Sequence, residues 1–441
     1  MTKQLPFADA QTGLHVLQAL LKERSILAAL ETMHAEVGDL FQVTLPLFDP
    51  TFVVGPEINR LLLVTGRDQF NWRTESDAVT KLLGHGLLVE DNDSHKCLRQ
   101  HMEPPLSKKR VNQQRGRIQH HTDQILAQWP VRGELDMLVE MRKVALVTLM
   151  GVLFDVDFTQ HMERLWQPIL RLLKYISPGM WIVWPQMPRF GYKAAWEAMD
   201  DYLFGIIQAR RQENSNGDDM LSRLVRVPEM TDELIRDQLL TMLIAGHDTS
   251  TALLAWVWYL LGTHPEAMTK AAQEVEAVVG NADIETRHLS KLIYLDQVIK
   301  ETLRLYPPIH VGNRLTNSDV GVGGYTIPAG QRVMYSIYLS HRHPDYWENP
   351  DAFQPERFGR KSERQTGCPA HKKRPPFTYV PFGGGPRNCI GAAFAQIEAK
   401  IVLARILQRF RLTLLPRKVE AHMGATLEPK PGVKMLVESK S

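Results

Sequence analysis

The sequence is poor in cysteine, in excess charge and in long apolar runs. Its 441 residues include only three cysteines, at positions 97, 368 and 389. They have neither the density of a disulfide framework nor the paired spacing of a zinc site. The net charge of +3 is too small to imply a nucleic-acid partner. We therefore predict a cytoplasmic protein that does not bind nucleic acid.

No stretch is apolar enough to anchor the chain in a membrane. Charged or polar residues interrupt the N-terminal segment MTKQLPFADAQTGLHVLQALLKERS, so it lacks the apolar core of a secretion signal. The longest uncharged run on an apolar helix, Thr249 to Thr263, is shorter than the roughly 20 residues that a bilayer requires. We predict neither a signal peptide nor a transmembrane anchor.

Apolar residues recur at helical intervals along much of the chain, and the hydrophobic content of 44% is enough to form a core. Leucines and isoleucines at near-helical intervals predict a helix over residues 14 to 37, ahead of a small sheet between Leu40 and Pro56. The clearest helix is predicted over residues 231 to 262. Asp232 and Glu233 suit its positive N-terminus and no proline interrupts it. It would be about 48 Å long, enough to cross a large domain.

The last third of the chain has a different texture. Short strands and turns are predicted between Val320 and Tyr338, whereas residues 344 to 388 show no sustained period. Such a long irregular stretch is usually functional or disordered. A helix over about residues 391 to 410 and a hairpin close the chain. We predict a fold that is mainly α with a minor β portion, forming one domain over residues 1 to 441.

The most informative segment is the glycine-rich run Phe-Gly-Gly-Gly-Pro-Arg-Asn-Cys-Ile-Gly, from Phe382 to Gly391. It presents Cys389 just before a helix. Glycine lets the backbone approach a flat cofactor closely. The free N–H groups of a helix N-terminus favour thiolate over thiol. A lone buried cysteine is more often structural, so the interpretation depends on the rest of the sequence.

The run matches the pattern Phe-Gly-x-Gly-x-Arg-x-Cys-x-Gly at every fixed position, and on it the chain resembles the cytochrome P450 family. Three further motifs stand in the order of that family: Ala245-Gly-His-Asp-Thr-Ser250, Glu301-Thr-Leu-Arg304 and Pro355-Glu-Arg-Phe358. The resemblance spans roughly residues 30 to 440. It implies the cytochrome P450 fold with a long central helix and a haem b cofactor. It also implies that Cys389 is the ligand of the haem iron.

The resemblance assigns roles to several further groups. It implies that Glu301, Arg304 and Arg357 form a cluster of ion pairs behind the cysteine loop. Thr249 holds a distal water, and Asp248 relays protons from solvent. Glycine and small residues let the long helix open at this turn, where a threonine hydroxyl can replace a backbone hydrogen bond. The remaining haem-binding residues implied by the family are Ala245, Gly246, Phe382 and Gly391.

Haem propionates need cationic donors. The resemblance points to Arg387 in the cysteine loop, to Arg314 after the Pro307-Pro308 turn, and to His95 and Arg99. Many members of the family have tryptophan where His95 stands, so this sequence follows a histidine variant.

The implied activity is that of a monooxygenase, which inserts one oxygen atom of O2 into a hydrophobic substrate. The aromatic segment from Phe158 to Trp196 suits an apolar lid, or simply core. The expected pocket stretches, residues 76 to 90, 243 to 249, 309 to 312 and 424 to 426, lean apolar. Fatty acids and terpenoids fit equally well. A peroxide-driven peroxygenase and a non-catalytic haem sensor are the alternatives, and the Asp248-Thr249 pair disfavours both.

Electrons have to come from other proteins, because no flavin or nicotinamide domain fits in the remaining chain. We expect NAD(P)H to supply them through a ferredoxin or flavodoxin-type donor and its reductase. The basic stretches Lys96 to Arg117 and Arg357 to Arg374 could attract an acidic donor. They could equally be a solvated surface that binds nothing specific.

Overall fold

The structure is a computed structural model that describes residues 5–23, 25–44, 48–75, 77–178, 189–213, 216–359 and 374–440. Its helices are α1 (Ala10–Glu23), α2 (Ile26–Val37), α3 (Pro56–Arg60), α4 (Ala78–Leu83), α5 (Asn92–Leu106), α6 (Lys108–Gln113), α7 (Arg115–Leu126), α8 (Met137–Leu153), α9 (Met162–Ile176), α10 (Lys193–Glu213), α11 (Met220–Val225), α12 (Asp232–Thr263), α13 (Pro265–Val278), α14 (Thr286–Leu289), α15 (Ile293–Leu305), α16 (Ile337–Ser340) and α17 (Ala392–Arg409). Its strands are β1 (Leu40–Gln42), β2 (Thr51–Val53), β3 (Phe70–Asn71), β4 (Arg132–Asp136), β5 (Val311–Thr316), β6 (Val320–Val322), β7 (Tyr325–Ile327), β8 (Arg332–Ser336), β9 (Phe410–Leu414), β10 (Glu420–Met423), β11 (Leu427–Lys430) and β12 (Lys434–Ser439).

Helix α12 is the element around which the other helices pack. The side-chain oxygen of Thr231 accepts a hydrogen bond from the Leu234 N–H at 3.2 Å and so caps its first turn. Most residues of α12 are buried, and the helix contacts α8, α10, α15 and α17. The long helix predicted from the sequence is confirmed to within one residue at each end. Within the described ranges, no helix combines the length and apolarity needed to cross a membrane.

The N-terminal helical region differs from the prediction. Two helices, α1 and α2, replace the single helix expected over residues 14 to 37. Ser25 has an extended backbone and lies at the N-cap of α2, a position that serine favours. Leu17 and Leu21 are exposed by 49% and 67%. The leucine periodicity that suggested one helix therefore marks exposed positions in α1, whereas Leu30 in α2 is buried in the core.

The strands form small sheets, which confirms the minor β portion. The largest has the order β1-β2-β8-β5-β3, with β2 and β8 parallel and the other neighbours antiparallel. The two β regions expected around residues 40 to 56 and 320 to 338 thus contribute to one sheet. The other sheets are β4-β12-β9 and the hairpins β6-β7 and β10-β11. Of the predicted irregular stretch, residues 344 to 359 and 374 to 388 are described and contain no strand.

A buried ion-pair cluster braces the chain that leads into the cysteine loop. Both carboxylate oxygens of Glu301 accept hydrogen bonds from Arg304 at 2.8 Å, and Glu301 Oε1 also accepts one from Arg357 at 2.9 Å. The predicted association of these three groups is confirmed. Nearby, the Tyr379 hydroxyl donates to the Lys300 carbonyl at 3.0 Å. Removing one partner of a buried pair costs about 3–5 kcal/mol, so this cluster should hold the loop firmly.

Candidate active site

The cysteine loop is a glycine-dependent turn that ends at helix α17. Gly383 and Gly385 have φ angles of 70° and 64°, in the left-handed region that glycine adopts readily. A Cβ on Gly385 would lie 2.3 Å from the Leu63 carbonyl oxygen, so a larger residue would not fit. The Cys389 N–H donates to the Phe382 carbonyl at 2.8 Å. Cys389 therefore lies just before the N-terminus of α17, as the sequence predicts.

Arg99 of helix α5 fastens this loop from the side. Its Nη1 donates to the carbonyl oxygens of Pro386 and Asn388 at 3.1 and 2.9 Å, and its Nη2 to Asn388 Oδ1 at 2.9 Å. The sequence suggests Arg99 as a propionate donor. Both terminal nitrogens contact the loop that carries Cys389, so Arg99 holds this loop in the structure, and its contact with a propionate stays a prediction.

Protein atoms surround the Cys389 side chain, but part of the residue is still accessible to solvent. Burial raises the pKa of the thiol, with the Gly391 backbone N–H and Arg99 acting in the opposite direction. The residue is nonetheless exposed. A side chain that is both enclosed and accessible borders an internal opening. Among the groups of the chain itself, desolvation therefore affects the pKa of the thiol more than the helix N–H groups do, and the thiolate form stays a prediction for the haem-bound protein.

Helix α12 has one accessible face in the middle of its buried length. Ala245, Gly246 and Thr249 are partly exposed, whereas their neighbours from Leu239 to Ile244 are buried. Positions i, i+1 and i+4 share one side of a helix. Ser250 Oγ donates to Glu398 Oε2 at 2.6 Å, which joins α12 to α17, the helix that follows the cysteine loop. The helix that follows the cysteine loop is thus joined to α12 beside the predicted oxygen-activation turn.

The turn at Thr249 is regular helix, which corrects the expectation of an opened turn. Helix α12 continues through it without a break. The Thr249 hydroxyl donates to the Ala245 carbonyl oxygen at 2.8 Å, a bond to the preceding turn that an α-helix accommodates. The hydroxyl is therefore at the accessible face, engaged with the backbone.

Asp248 is held in a buried polar network away from that face. Its Oδ2 accepts a hydrogen bond from Thr426 Oγ1 at 2.7 Å, and its Oδ1 lies 3.4 Å from Arg142 Nη2. Arg142 also pairs with Glu428. Burial, followed by Glu428, raises the pKa of Asp248 to about 6, against Arg142 and Thr426. The carboxyl can therefore exchange a proton near neutral pH. The sequence does not reveal Arg142 or Thr426 as its partners.

A cluster of cations surrounds Trp72, at the end of strand β3. The guanidinium carbons of Arg314 and Arg387 lie 3.5 and 4.7 Å from the centre of its ring. Arg387 pairs with Asp91, which also accepts the Trp72 backbone N–H at 3.1 Å. His95 is buried on helix α5, where desolvation followed by Arg387 and Arg99 lowers its pKa to about 4. It is therefore neutral at physiological pH.

Arg73 is a member of this cluster that sequence reasoning missed. Burial, followed by Arg314, lowers its pKa to about 10, and its Nε is buried without a hydrogen-bond partner in the described structure. Strand β3 pairs with β5, which carries Arg314, and this pairing brings Arg73 to the site. The pairing joins segments about 240 residues apart, so no local signal reveals it.

Other predicted surfaces are only partly described. Residues 179–188 of the aromatic segment and residues 360–373 of the second basic stretch lie outside the described residues. Of the remaining aromatics, Tyr175 packs edge to face with Tyr192 and Trp196, at centroid distances of 5.1 and 5.4 Å. These rings bury one another between α9 and α10, which is core packing.

Comparison with known proteins accounts for these observations together. The family model described as Cytochrome P450 matches residues 11–436. The chain belongs to the cytochrome P450 family. This P450 is 28% identical to cyclooctatin synthase of Streptomyces melanosporofaciens, over 94% of this chain and 90% of that protein. It is 29% identical to cyclooctat-9-en-7-ol 5-monooxygenase of the same organism, over 86% and 83%. The chain is accordingly an oxidoreductase of the P450 monooxygenase class.

The fold of this P450 matches a solved structure over its whole length. Retinoic acid bound cyanobacterial CYP120A1 superimposes with a TM-score of 0.84, covering 100% of both chains at 24% identity. The predicted cytochrome P450 fold is thereby confirmed.

The family's haem fits the residues present. An accessible thiol offers a sulfur ligand for the iron, and Ala245 and Thr249 are partly exposed on the accessible face of α12. A Cβ on Gly246 would lie 2.5 Å from the Leu149 side chain, so this glycine allows α12 to pack closely against α8. The cluster at Trp72 contains three arginines, of which Arg387 pairs with Asp91 while Arg73 keeps an unpartnered Nε. Two propionate carboxylates would supply the acceptors that such a cluster needs.

We predict that Arg73→Met releases haem faster than the wild type. A charge-assisted hydrogen bond contributes about 1.5–3 kcal/mol, so its loss should speed haem transfer to excess apomyoglobin about tenfold or more. Arg67→Met is the matched control, because Arg67 is 45% exposed and pairs with its neighbour Asp68 on the surface. Equal haem-transfer rates for the Arg73 and Arg67 variants would contradict a role of Arg73 in holding the cofactor.

Proposed function

We propose that residues 1–441 form one haem domain in which Cys389 supplies the sulfur ligand of a haem b. The observation that carries this proposal is the accessible thiol on a loop whose following helix, α17, is hydrogen-bonded to α12 beside Thr249. Phe382 and Gly391 flank the cysteine, and Ala245 and Gly246 border the opposite side. The haem supplies the dioxygen chemistry, and a thiolate ligand donates the electron density that favours O–O cleavage.

Cys389 has to be deprotonated for this role, and the protein alone does not achieve it, since burial raises the pKa of the thiol. A coordinated metal ion deprotonates a thiol outright. The Gly391 N–H and Arg99 favour the resulting negative charge. The chain would thus position Cys389 and donate hydrogen bonds to it, while the metal would supply the positive charge that stabilises the thiolate.

We assign propionate binding to the cluster at Trp72. Arg73, Arg314 and Arg387 offer guanidinium donors, and the neutral ring of His95 can donate one N–H. Cation–π contacts with Trp72 hold the guanidinium groups of Arg314 and Arg387 at the site before any carboxylate arrives. Side chains that are already ordered lose less conformational freedom when the carboxylates bind, which favours binding.

Asp248 and Thr249 are the proposed proton-handling pair. The Thr249 hydroxyl lies at the accessible face and can turn from the Ala245 carbonyl to hold a water. The Asp248 carboxyl, with a pKa of about 6, can carry a proton only if it leaves Thr426 and Arg142. Rotation of this side chain would connect the buried network to the accessible face of α12. Proton supply would then depend on an exchange of hydrogen-bond partners.

A terpenoid is the substrate class that we favour over a fatty acid. The sequence alone leaves the two equal. The relatives named cyclooctatin synthase and cyclooctat-9-en-7-ol 5-monooxygenase act on terpenoids, and the matched solved structure holds retinoic acid. The proposed reaction is hydroxylation or epoxidation of such a hydrophobic molecule.

Electrons are proposed to come from NAD(P)H through a ferredoxin or flavodoxin-type protein and its reductase. The basic stretch Lys96 to Arg117 supports this, because it forms helices α5 to α7 and Arg99 within it contacts the cysteine loop. Lys108 and Lys109 are exposed there, and an acidic donor would be attracted to them. The cytoplasmic location stays a prediction from the sequence.

We predict that terpenoids shift the ferric protein toward high spin more effectively than fatty acids of similar carbon number. An apolar ligand that fills the cavity displaces water, and a compact ring system fills it at a smaller loss of conformational freedom than a flexible chain. The measurement is the absorbance change during titration with matched sets of terpenoids, fatty acids and steroids. Tighter binding of the fatty acids would overturn the substrate assignment.

We predict that Thr249→Ala wastes electrons as hydrogen peroxide. Positioned proton transfer contributes about 10²–10⁴-fold to rates, so product formed per electron should fall roughly tenfold or more. Thr251→Ala is the matched control. Thr251 makes the same kind of bond, to the His247 carbonyl at 2.9 Å, but is fully buried. Unchanged product per electron in Thr249→Ala would remove Thr249 from the proposed proton route.

A further inference from the structure

Two histidines and one aspartate converge far from the cysteine in sequence, where helix α2 meets the chain after α16. His34 Nε2 lies 2.8 Å from Asp39 Oδ1, and His343 Nε2 lies 3.0 Å from the same oxygen. The donor atoms of all three side chains lie within 4.8 Å of one another. The motifs of the active site use none of these residues.

The local fold explains how the three side chains meet. His34 lies in the last turn of α2, and Gly38, with φ of 106°, ends that helix by donating its N–H to the His34 carbonyl. This turn brings Asp39 back toward His34. The side chains of His34 and His343 are 14% and 7% exposed, whereas that of Asp39 is 48% exposed. The imidazoles are therefore held in place, and one side of the cluster is open to solvent.

We propose that His34, Asp39 and His343 bind a divalent transition-metal ion of the Zn²⁺ class. Two imidazole nitrogens and one carboxylate oxygen are ligands that Zn²⁺ favours, and water can take the fourth position on the open side. Zn²⁺ holds such atoms at about 2.0–2.2 Å, which separates neighbouring ligand atoms by about 3.3 Å in a tetrahedron. The contacts of 2.8 and 3.0 Å have to lengthen by only a few tenths of an ångström.

One hydrogen bond has to break when the metal binds, and its loss lowers the expected affinity. His343 Nδ1 accepts the Asp345 backbone N–H at 3.1 Å, which keeps the ring proton on Nε2 in the metal-free protein. Metal binding at Nε2 moves that proton to Nδ1 and gives up this hydrogen bond. The site should therefore bind Zn²⁺ more weakly than a preformed structural zinc centre does.

Occupation of the site would join two parts of the fold that are distant in sequence. His34 and Asp39 belong to the N-terminal helical region, and His343 follows α16 beyond strand β8. A ligand that binds only the folded state stabilises it by mass action. The metal would link α2 to the segment of the chain that follows α16. This inference does not rest on the proposed oxygenase function.

Metal uptake by the haem-loaded full chain tests the proposal. The chain is dialysed against Zn²⁺ and its zinc content counted, with affinities from isothermal titration. Loss of even a residue that only hydrogen-bonds to a metal ligand weakens metal binding about 10–100-fold. His343→Gln and His34→Gln should therefore each weaken binding at the tightest zinc site by about 100-fold or more. His15→Gln is the control, since His15 is an exposed histidine that pairs with Glu36 on the same helix pair. It should bind zinc as the wild type does.

Zinc-edge X-ray absorption provides a readout that separates this site from surface histidines, because the haem iron does not contribute at that edge. The proposal expects two imidazoles per zinc in the wild type and fewer in His343→Gln. The glutamine amide can still donate to Asp39, so this variant should fold, which its haem spectrum checks. Equal zinc affinity in the wild type and both variants, or a spectrum without imidazole, would overturn the proposal. The cluster would then be a hydrogen-bonded bridge alone.

Discussion

The placement of one thiol at an internal opening is the constraint on which the rest of the structure depends. In the proposed role Cys389 is a ligand of the cofactor, yet its own burial opposes ionisation. The fold holds the cysteine loop in position but does not itself ionise the thiol. Gly385 allows the loop to press on Leu63, and Arg99 binds the loop carbonyls. Behind them, the buried pairing of Glu301 with Arg304 and Arg357 fixes the incoming chain.

Charge is arranged around this opening in two separate groups. The arginines at Trp72 form a cationic cluster suited to the carboxylates of a cofactor. On the other side of α12, Asp248 is kept among Arg142, Thr426 and Glu428. In the proposed function the first group binds the cofactor, whereas the second changes hydrogen-bond partners. Burial raises the pKa of Asp248 to about 6 and lowers the pKa of Arg314 and Arg387, so desolvation acts against the charged form in both groups.

Features encoded locally could be predicted from the sequence, and those set by distant contacts could not. The ends of α12 follow from Thr231, the acidic first turn and Pro265, all local signals. The cysteine loop is likewise a continuous motif. The break at Ser25 was missed because leucine spacing suggested a longer helix. Arg142, Thr426 and Arg73 reach the site through packing of segments separated by about 100 residues or more. Their roles depend on tertiary contacts, which periodicity does not encode.

The ferrous carbonyl spectrum of the haem-loaded protein tests the central claim most directly. With Cys389 as the ligand, the wild type should show the thiolate signature and Cys389→Ser should lose it. Cys97→Ser, which changes an exposed cysteine on α5, should keep it. A thiolate signature that persists in Cys389→Ser would contradict the assignment of the ligand and, with it, the account of the loop that holds it.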